Sequence, residues 1–571
     1  MGFGTDLGVV VRAASHVPLA ALLAHGRRRL RNRLVPRMAN SYRKRLSRLA
    51  SALPRVGASF TPEACRAAET VSMFFAAKHR KNVPHCFQGR FTFLGETHDF
   101  GGVENLDWRV DMDGGAYQLW RANLSFMGYL CTAADHDPEQ GLQLAATLCR
   151  SFRSAARLEL AGDFSELWNS YPVSQRILSL SALLIRLPTA FANRAERAQI
   201  EQFLRENVAF LLGNLETELG YNHLERNLSA LGLYALAAGA VPQAIAEVLQ
   251  RHFPHIVEET IGGDGVQKER SAMYQGFTIQ SLRILQELDV WSADQSCFLS
   301  RRLAVAEQAL AMLTLGDGQI SLKNDAWFDE TPLTQQIVPG LSPPDFAVLA
   351  DAGCVRLACG DAVVLFDAGP IGADANPGHG HADFLSFEMS LGDARLVVDP
   401  GTPTYRAGAE RDFGRSWQAH NGPCFDNGEV PVEYHGSFKV GRRSAARLDE
   451  AGEALDGQRA AATLAFLKTT VSRRLTLGAG ELRIEDKWVR GPGRPVTRFL
   501  VPSSWQACEA QGGVDLVAGG YRVRISVAEA SIRLAPGQWS CRYNRREHAT
   551  MVEVRPQHRE ARVTFTWQNT S

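Results

Sequence analysis

The chain has 571 residues, 62 basic against 61 acidic side chains and 45% hydrophobic content, which is globular in composition and too long for one ordinary core; roughly two to four domains are expected. Its net charge of +1 supplies no overall field for a polyanion, so no nucleic-acid partner is expected and any anionic ligand must be held locally. The ten cysteines form no CxxC and no Cys/His metal spacing, so they read as mostly free and buried; one or two disulfides are allowed, Cys354 with Cys359 being the only near pair.

At the N-terminus, Val17 to Leu23 is a short apolar run followed by arginines, the reverse of the order in a secretory signal, and no apolar run approaches the roughly 18 residues that cross a bilayer. Ten Lys/Arg and no acid lie between Arg27 and Arg48. This segment, residues 1–60, reads as a solvated basic helix packed on the next domain, or as one that lies against anionic lipid or polysaccharide. From about 61 to 342 apolar residues recur at helical spacing, as in Leu231, Leu233, Tyr234, Leu236 and Phe277, Ile284, Leu285, Leu288, with no fixed-period repeat. From Ser342-Pro343-Pro344 onward the texture changes to short alternating runs with Gly, Asp or Pro turns, such as FLSFEMSLGDARLVVDPG, which predicts an antiparallel β domain over 343–571. An all-helical half followed by an all-β half is therefore expected.

In the helical half YNHLERN sets Asn222 beside His223, with Asn227 one turn on along the same helix face; an amide and an imidazole facing a cleft can bind a carboxylate, or they are a helix-terminal Asn and a core His. IGGDGVQKERSAMYQGF follows, in which Ser271 caps a helix carrying Tyr274 in its first turn. LGDGQISLKNDAWFD places Asn324 and Asp325 after a Gly-Asp-Gly turn, at a cleft rim or in a simple Asx turn. In the β half GHGHAD holds His379 and His381 one residue apart beside Asp383, with Asp399 and His420 further on. His381, Asp399 and His420 make a plausible set of Zn ligands, with Asp383 to orient one ring. A plain hairpin closed at Gly392-Asp393 would put Asp399 opposite Ser386 and leave His381 roughly 16 Å away, so the metal set requires residues 378–385 to fold back, as flanking glycines would permit.

Five segments in this order, FTFLGETHDFGGVENLDWRVDM with Tyr117 and Trp120, WNSYPVSQRI, YNHLERN, ERSAMY, and PGHGHADFLSFEMSLGDARLVVDPGTPTY with RSWQAHN, resemble the heparinase II/III-like family of polysaccharide lyases. The resemblance implies an incomplete α/α toroid followed by an antiparallel β-sandwich, and β-elimination next to a uronic acid in the cleft between the two. It implies Asn222 and His223 at the substrate carboxylate, Tyr274 as the acid at the leaving oxygen, His379 as a base, a structural Zn on His381, Asp399 and His420, and no organic cofactor. Asn227, Glu269, Asn324 and Arg415 lie in or near the same segments and are candidate substrate-binding residues. Some relatives carry an acid three residues after the cleft histidine, where this chain has Arg226, with Glu225 one position earlier; an arginine there would favour a more anionic chain.

A lyase on an anionic polysaccharide is thus the leading expectation. The alternatives are a non-catalytic binding or exopolysaccharide-assembly protein on the same scaffold, and a glycoside hydrolase using acids such as Asp264, Glu269 or Asp325. The chemistry suits the periplasm, while the N-terminus argues against ordinary export and leaves the cytoplasm possible.

Overall fold

The computed structural model describes residues 3–112, 114 and 118–570. Tyr117, part of one of the resembling segments, lies outside the described residues.

The helical half is organised around Ser170–Arg186, where 15 of the 17 residues are buried. It is buried on nearly every side by its neighbours: Pro62–His79, Gly128–His136, Ala195–Leu212 and Tyr221–Ala238 all pack on it. Several of its polar groups are satisfied locally. Asn169 caps its first turn, Ser179 donates to the carbonyl of Met127, and buried Arg176 donates to Asn207 and to the carbonyls of Ser125 and Leu167. Tyr221–Ala238 packs in turn against Ala272–Gln286, and that helix against Ala293–Met312. Helix after helix thus lies beside its successor, the arrangement of an incomplete α/α toroid.

The β half begins with a five-stranded antiparallel sheet in sequential order, Phe346–Leu349, Cys354–Cys359, Ala362–Asp367, Phe387–Leu391 and Ala394–Val397. An eight-stranded and a four-stranded sheet follow. One apolar cluster joins all three, with Leu357 and Phe387 from the first, Leu475 and Phe565 from the second, and Phe499 and Val552 from the third.

The strand Phe387–Leu391 alternates Phe, Met and Leu with Glu and Ser, yet all five residues are buried. Its apolar face joins the β core, and its polar face meets the helical half: Glu388 accepts from Ser321 Oγ and Leu322 N and pairs with Arg395, which also holds Asp317. The two halves are therefore joined through a satisfied polar layer. All ten cysteines are free; Cys65, Cys297 and Cys508 are exposed rather than buried, and Cys354 is not paired with Cys359 but lies 3.4 Å from Lys323 Nζ.

Candidate active site

Two helix starts place the helical contributions. Gly220 and Tyr221, both at positive φ (63° and 41°), turn the chain into Tyr221–Ala238, so Asn222 and His223 sit in its first turn. Ser271 accepts from the Tyr274 amide as the cap of Ala272–Gln286, as its position in the sequence predicts. The β half contributes the His379 loop. Residues 380–386 leave the strand direction, with Leu385 at φ +60°, the Ser386 amide donating to Asp383 O and the Leu385 amide to Asp367 O. The fold-back that the metal set requires is present. Its glycine serves another purpose than φ freedom: a Cβ on Gly380 would lie 2.1 Å from the carbonyl oxygen of Ile371, so the two backbones could not meet there with any side chain. The hairpin also carries a bulge between Met389 and Ser390, which shifts the plain register by one.

Asn222, His223, Tyr274 and His379 line one cavity of about 440 Å³, together with Tyr171, Phe277, Trp327, Tyr405 and Phe438. A second cavity of about 620 Å³ shares Trp327 and Glu330 with it but holds none of the four.

The Tyr274 ring lies 4.6 Å from that of His379, and its hydroxyl is 3.3 Å from the Tyr405 hydroxyl. Burial, with Tyr171 and Glu269 nearby, pushes the Tyr274 pKa well above its usual value, so the phenol stays protonated. His379 Nδ1 is 2.8 Å from Asp325 Oδ2, which leaves Nε2 as its other nitrogen, 3.8 Å from Glu269 Oε2. Asp325 is completely buried and also takes His381 Nε2 at 3.0 Å and both terminal nitrogens of Arg411. Burial alone would raise its pKa, but Arg411 and the two imidazoles hold it well below the usual carboxylate range. Asp325 is therefore the anion that orients both histidines of the His-Gly-His loop.

Asn222 donates from Nδ2 to Glu269 at 2.7 Å, and its buried Oδ1 has no partner. His223 Nδ1 lies 3.4 Å from Glu216. Burial opposes its charge, but Glu216 prevails and raises the His223 pKa above its usual value. Arg28, from the N-terminal helix Leu19–Leu34, also lines the cavity and pairs with Glu216 and Glu218. No local feature of the sequence marks Arg28 or Arg411 for this site, whereas Tyr405 closes the His-Gly-His segment itself.

Three candidate substrate contacts lie behind the wall. Asn227 is fully buried and spends its amide on Glu216 and Ser174; Asn324 spends its own on the Arg270 carbonyl and the His381 amide; Arg415 is fully buried under Tyr434, donating to the carbonyls of Gly436 and Ser437. Each amide or guanidinium is buried and turned to the protein rather than to the cavity, Arg415 with its Nε unpartnered. Glu269 reaches the site only through Asn222 and His379. Arg226 is buried on Gln280 and over Phe277, so it adds no charge to the cavity. Of the acids offered for hydrolysis, Asp264 caps the Val266 and Ala352 amides away from the cavity and Asp325 is locked to Arg411.

His381, Asp399 and His420 are buried, with candidate ligand atoms within 4.8 Å of one another. His420 Nδ1 contacts Asp399 Oδ2 at 2.8 Å and His381 Nε2 contacts Asp325, so one nitrogen of each ring, Nε2 of His420 and Nδ1 of His381, is buried without a partner. Burial lowers the His381 pKa to about 4, which keeps that ring neutral. Two partnerless imidazole nitrogens beside a carboxylate fit a metal ion. Asp383 does not orient either ring. Both its oxygens are buried and partnerless, and burial with neighbouring Asp367 pushes its pKa up to about 7.

The β half, which carries the His-Gly-His loop, is similar to a known domain. Residues 342–568 match the model described as Heparinase II/III-like, C-terminal. Among solved structures, Heparinase III superimposes with a TM-score of 0.66 at 13% identity, covering 92% of this chain and 89% of that one. A mutant of the heparan sulfate lyase HepC from Pedobacter heparinus gives 0.56 at 15% identity over 86% and 83%. A chondroitinase AC lyase gives 0.50 at 9% identity over 88% and 83%. These neighbours are polysaccharide lyases, and at such identities they share the fold with this chain. No curated protein sequence matches it.

Proposed function

We propose that the protein is a lyase that cleaves a uronate-containing polysaccharide by β-elimination. The observation that carries this reading is the convergence of Asn222, His223, Tyr274 and His379 on one cavity between the two halves. The C5 proton of a uronate is α to a carboxylate, so its removal builds charge beside an existing anion, and donors must take up that charge. His223, whose charge is favoured by Glu216, serves that purpose, together with the one Asn222 Nδ2 hydrogen that Glu269 does not take. Asp325 accepts from His379 Nδ1, which presents Nε2 as a base. Tyr274, kept protonated by burial, gives its proton to the leaving oxygen, and the proton that His379 took from C5 restores the phenol. For the opposite stereochemistry at C5, Tyr274 itself takes the proton. The buried, aromatic surroundings of Tyr274 favour the first division of labour, in which the phenol starts neutral, because a buried phenolate is costly.

We assign a Zn ion to His381, Asp399 and His420, since two imidazoles and a carboxylate suit that metal. When bound it supplies charge and rigidity to the loop behind His379. We place the enzyme in the periplasm, where such a polymer would be met, which cell fractionation would test.

The test is incubation of the purified protein with heparan sulfate, alginate, hyaluronan and the exopolysaccharide of its source organism. The reading predicts a new ultraviolet-absorbing unsaturated end from at least one. No gain in absorbance across that panel, or release of saturated reducing sugar instead, would refute it.

A further inference from the structure

We propose that the N-terminal helix Leu19–Leu34 is an interfacial helix that docks the protein on an anionic lipid surface. No residue of this helix is buried. Leu19, Leu23, Leu30 and Leu34 are 72%, 56%, 58% and 41% exposed, and Met38 just beyond is 59% exposed. At about 100° per residue the four leucines fall within an arc of about 60° on one face. A soluble surface has no reason to gather leucines in a row, and a stripe of this kind marks a contact.

The charge beside it says with what. Exposed Arg27, Arg29, Arg33 and Arg37 flank the stripe. From residue 7 to residue 62 the chain holds eleven arginines and a lysine and no Asp or Glu. Apolar side chains flanked by cations match the interface of an anionic bilayer, where leucines enter the acyl boundary and arginines meet the headgroups. A second copy of the stripe would bring arginine against arginine. A polysaccharide would leave the leucines unexplained.

The opposite face fastens the helix to the cleft. Arg28 pairs with Glu216 and Glu218, and Arg31 donates to Asn214 at 2.5 Å. Because Arg28 lines the cavity, docking would hold the cavity roughly one helix diameter, about 10 Å, from the lipid headgroups. The protein would then work on polymer lying at a membrane surface. Docking itself does not depend on the lyase reading, and its assay uses no substrate.

The full chain is sedimented with vesicles of phosphatidylcholine alone and of phosphatidylcholine mixed with phosphatidylglycerol. Binding is expected to the mixed vesicles only, and to weaken as salt is raised. Leu23→Ser with Leu30→Ser should weaken it on the order of tenfold per residue, and Arg27→Gln with Arg29→Gln about fivefold per charge. All four side chains are exposed, so thermal unfolding should be unchanged; were the leucine variant to misfold, the arginine variant and the salt series still decide. Absence of binding to the mixed vesicles, equal binding to both kinds, or binding indifferent to both variants would overturn the proposal. So would a dimer, seen by light scattering, that the leucine substitutions dissolve while vesicles are ignored.

Discussion

Replacing Asp325 by Asn gives the sharpest test of the proposed base. In the native protein the carboxylate accepts from His379 Nδ1 at 2.8 Å, so the proton is held on that nitrogen and Nε2 is free to receive another. An amide of the same shape can turn its NH2 toward Nδ1, which traps the opposite tautomer and removes the base without moving the ring. A positioned base contributes roughly 10²- to 10⁴-fold, or about 2.7 to 5.4 kcal/mol at 1.36 kcal/mol per decade. A second cost arises because Arg411 is 1% exposed and loses its bidentate anion, and an unpaired buried charge typically costs about 3 to 5 kcal/mol of stability. The two effects separate in the double variant Asp325→Asn with Arg411→Gln, where the stranded charge is gone. Its unfolding temperature should recover part of the single variant's loss while kcat stays low. Turnover would be read from the unsaturated product and folding from calorimetry. A folded Asp325→Asn protein with kcat within tenfold of native would refute the Asp325–His379 base.

Tyr274→Phe should lower kcat by about 10² to 10⁴ while substrate binding persists, since the hydroxyl makes one neutral 3.3 Å contact worth about 1 kcal/mol or less of stability; unchanged kcat would remove the tyrosine from the mechanism. Elemental analysis of the purified protein should find about one Zn per chain, and His420→Ala should lose it with a lowered unfolding temperature; a metal-free native protein would refute the ion assignment and leave His379 as the candidate base. The His223–Glu216 pair has a defined pH window. The His223 pKa is raised above 6.5, so its contribution is complete below 6.5 and lost as pH rises through the elevated folded value; Glu216 is lowered below 4.5, so its contribution is present above 4.5 and lost as pH falls through the depressed value. The stability difference between native protein and Glu216→Gln should therefore be largest between those limits, and a pH-independent difference would contradict the pairing. Gly380→Ala must displace the Ile371 backbone, so it should destabilise by about 1 to 3 kcal/mol or more and reduce activity through His379; a variant as stable as native would show that the contact yields readily.

How much of this was legible in the sequence follows from how local each feature is. Asn222, His223 and Tyr274 sit in the first turns of helices whose starts are written nearby, in Gly220 and in Ser271, so a reader of the chain can place them. The change from helical to alternating texture at Ser342 is likewise a matter of period. Asp325 was visible only as part of a turn, because its role depends on the His-Gly-His loop folding back from a strand whose continuation would have carried His381 away. Asn324 shows the same limit from the other side. It adjoins Asp325 and could equally have faced a ligand, but at φ +62° its amide is turned to the Arg270 carbonyl and the His381 amide, and it pins the loop instead of touching the cavity. Arg28 lies about 190 residues before the acids it meets, inside a run of arginines that differ in nothing but their angle around the helix axis. That angle also separates Arg28, on the cleft, from Arg27 and Arg29, on the outer face. A basic run is therefore two surfaces once it is wound into a helix, and only the docking partner of one face, Glu216 and Glu218, shows which arginine belongs to which.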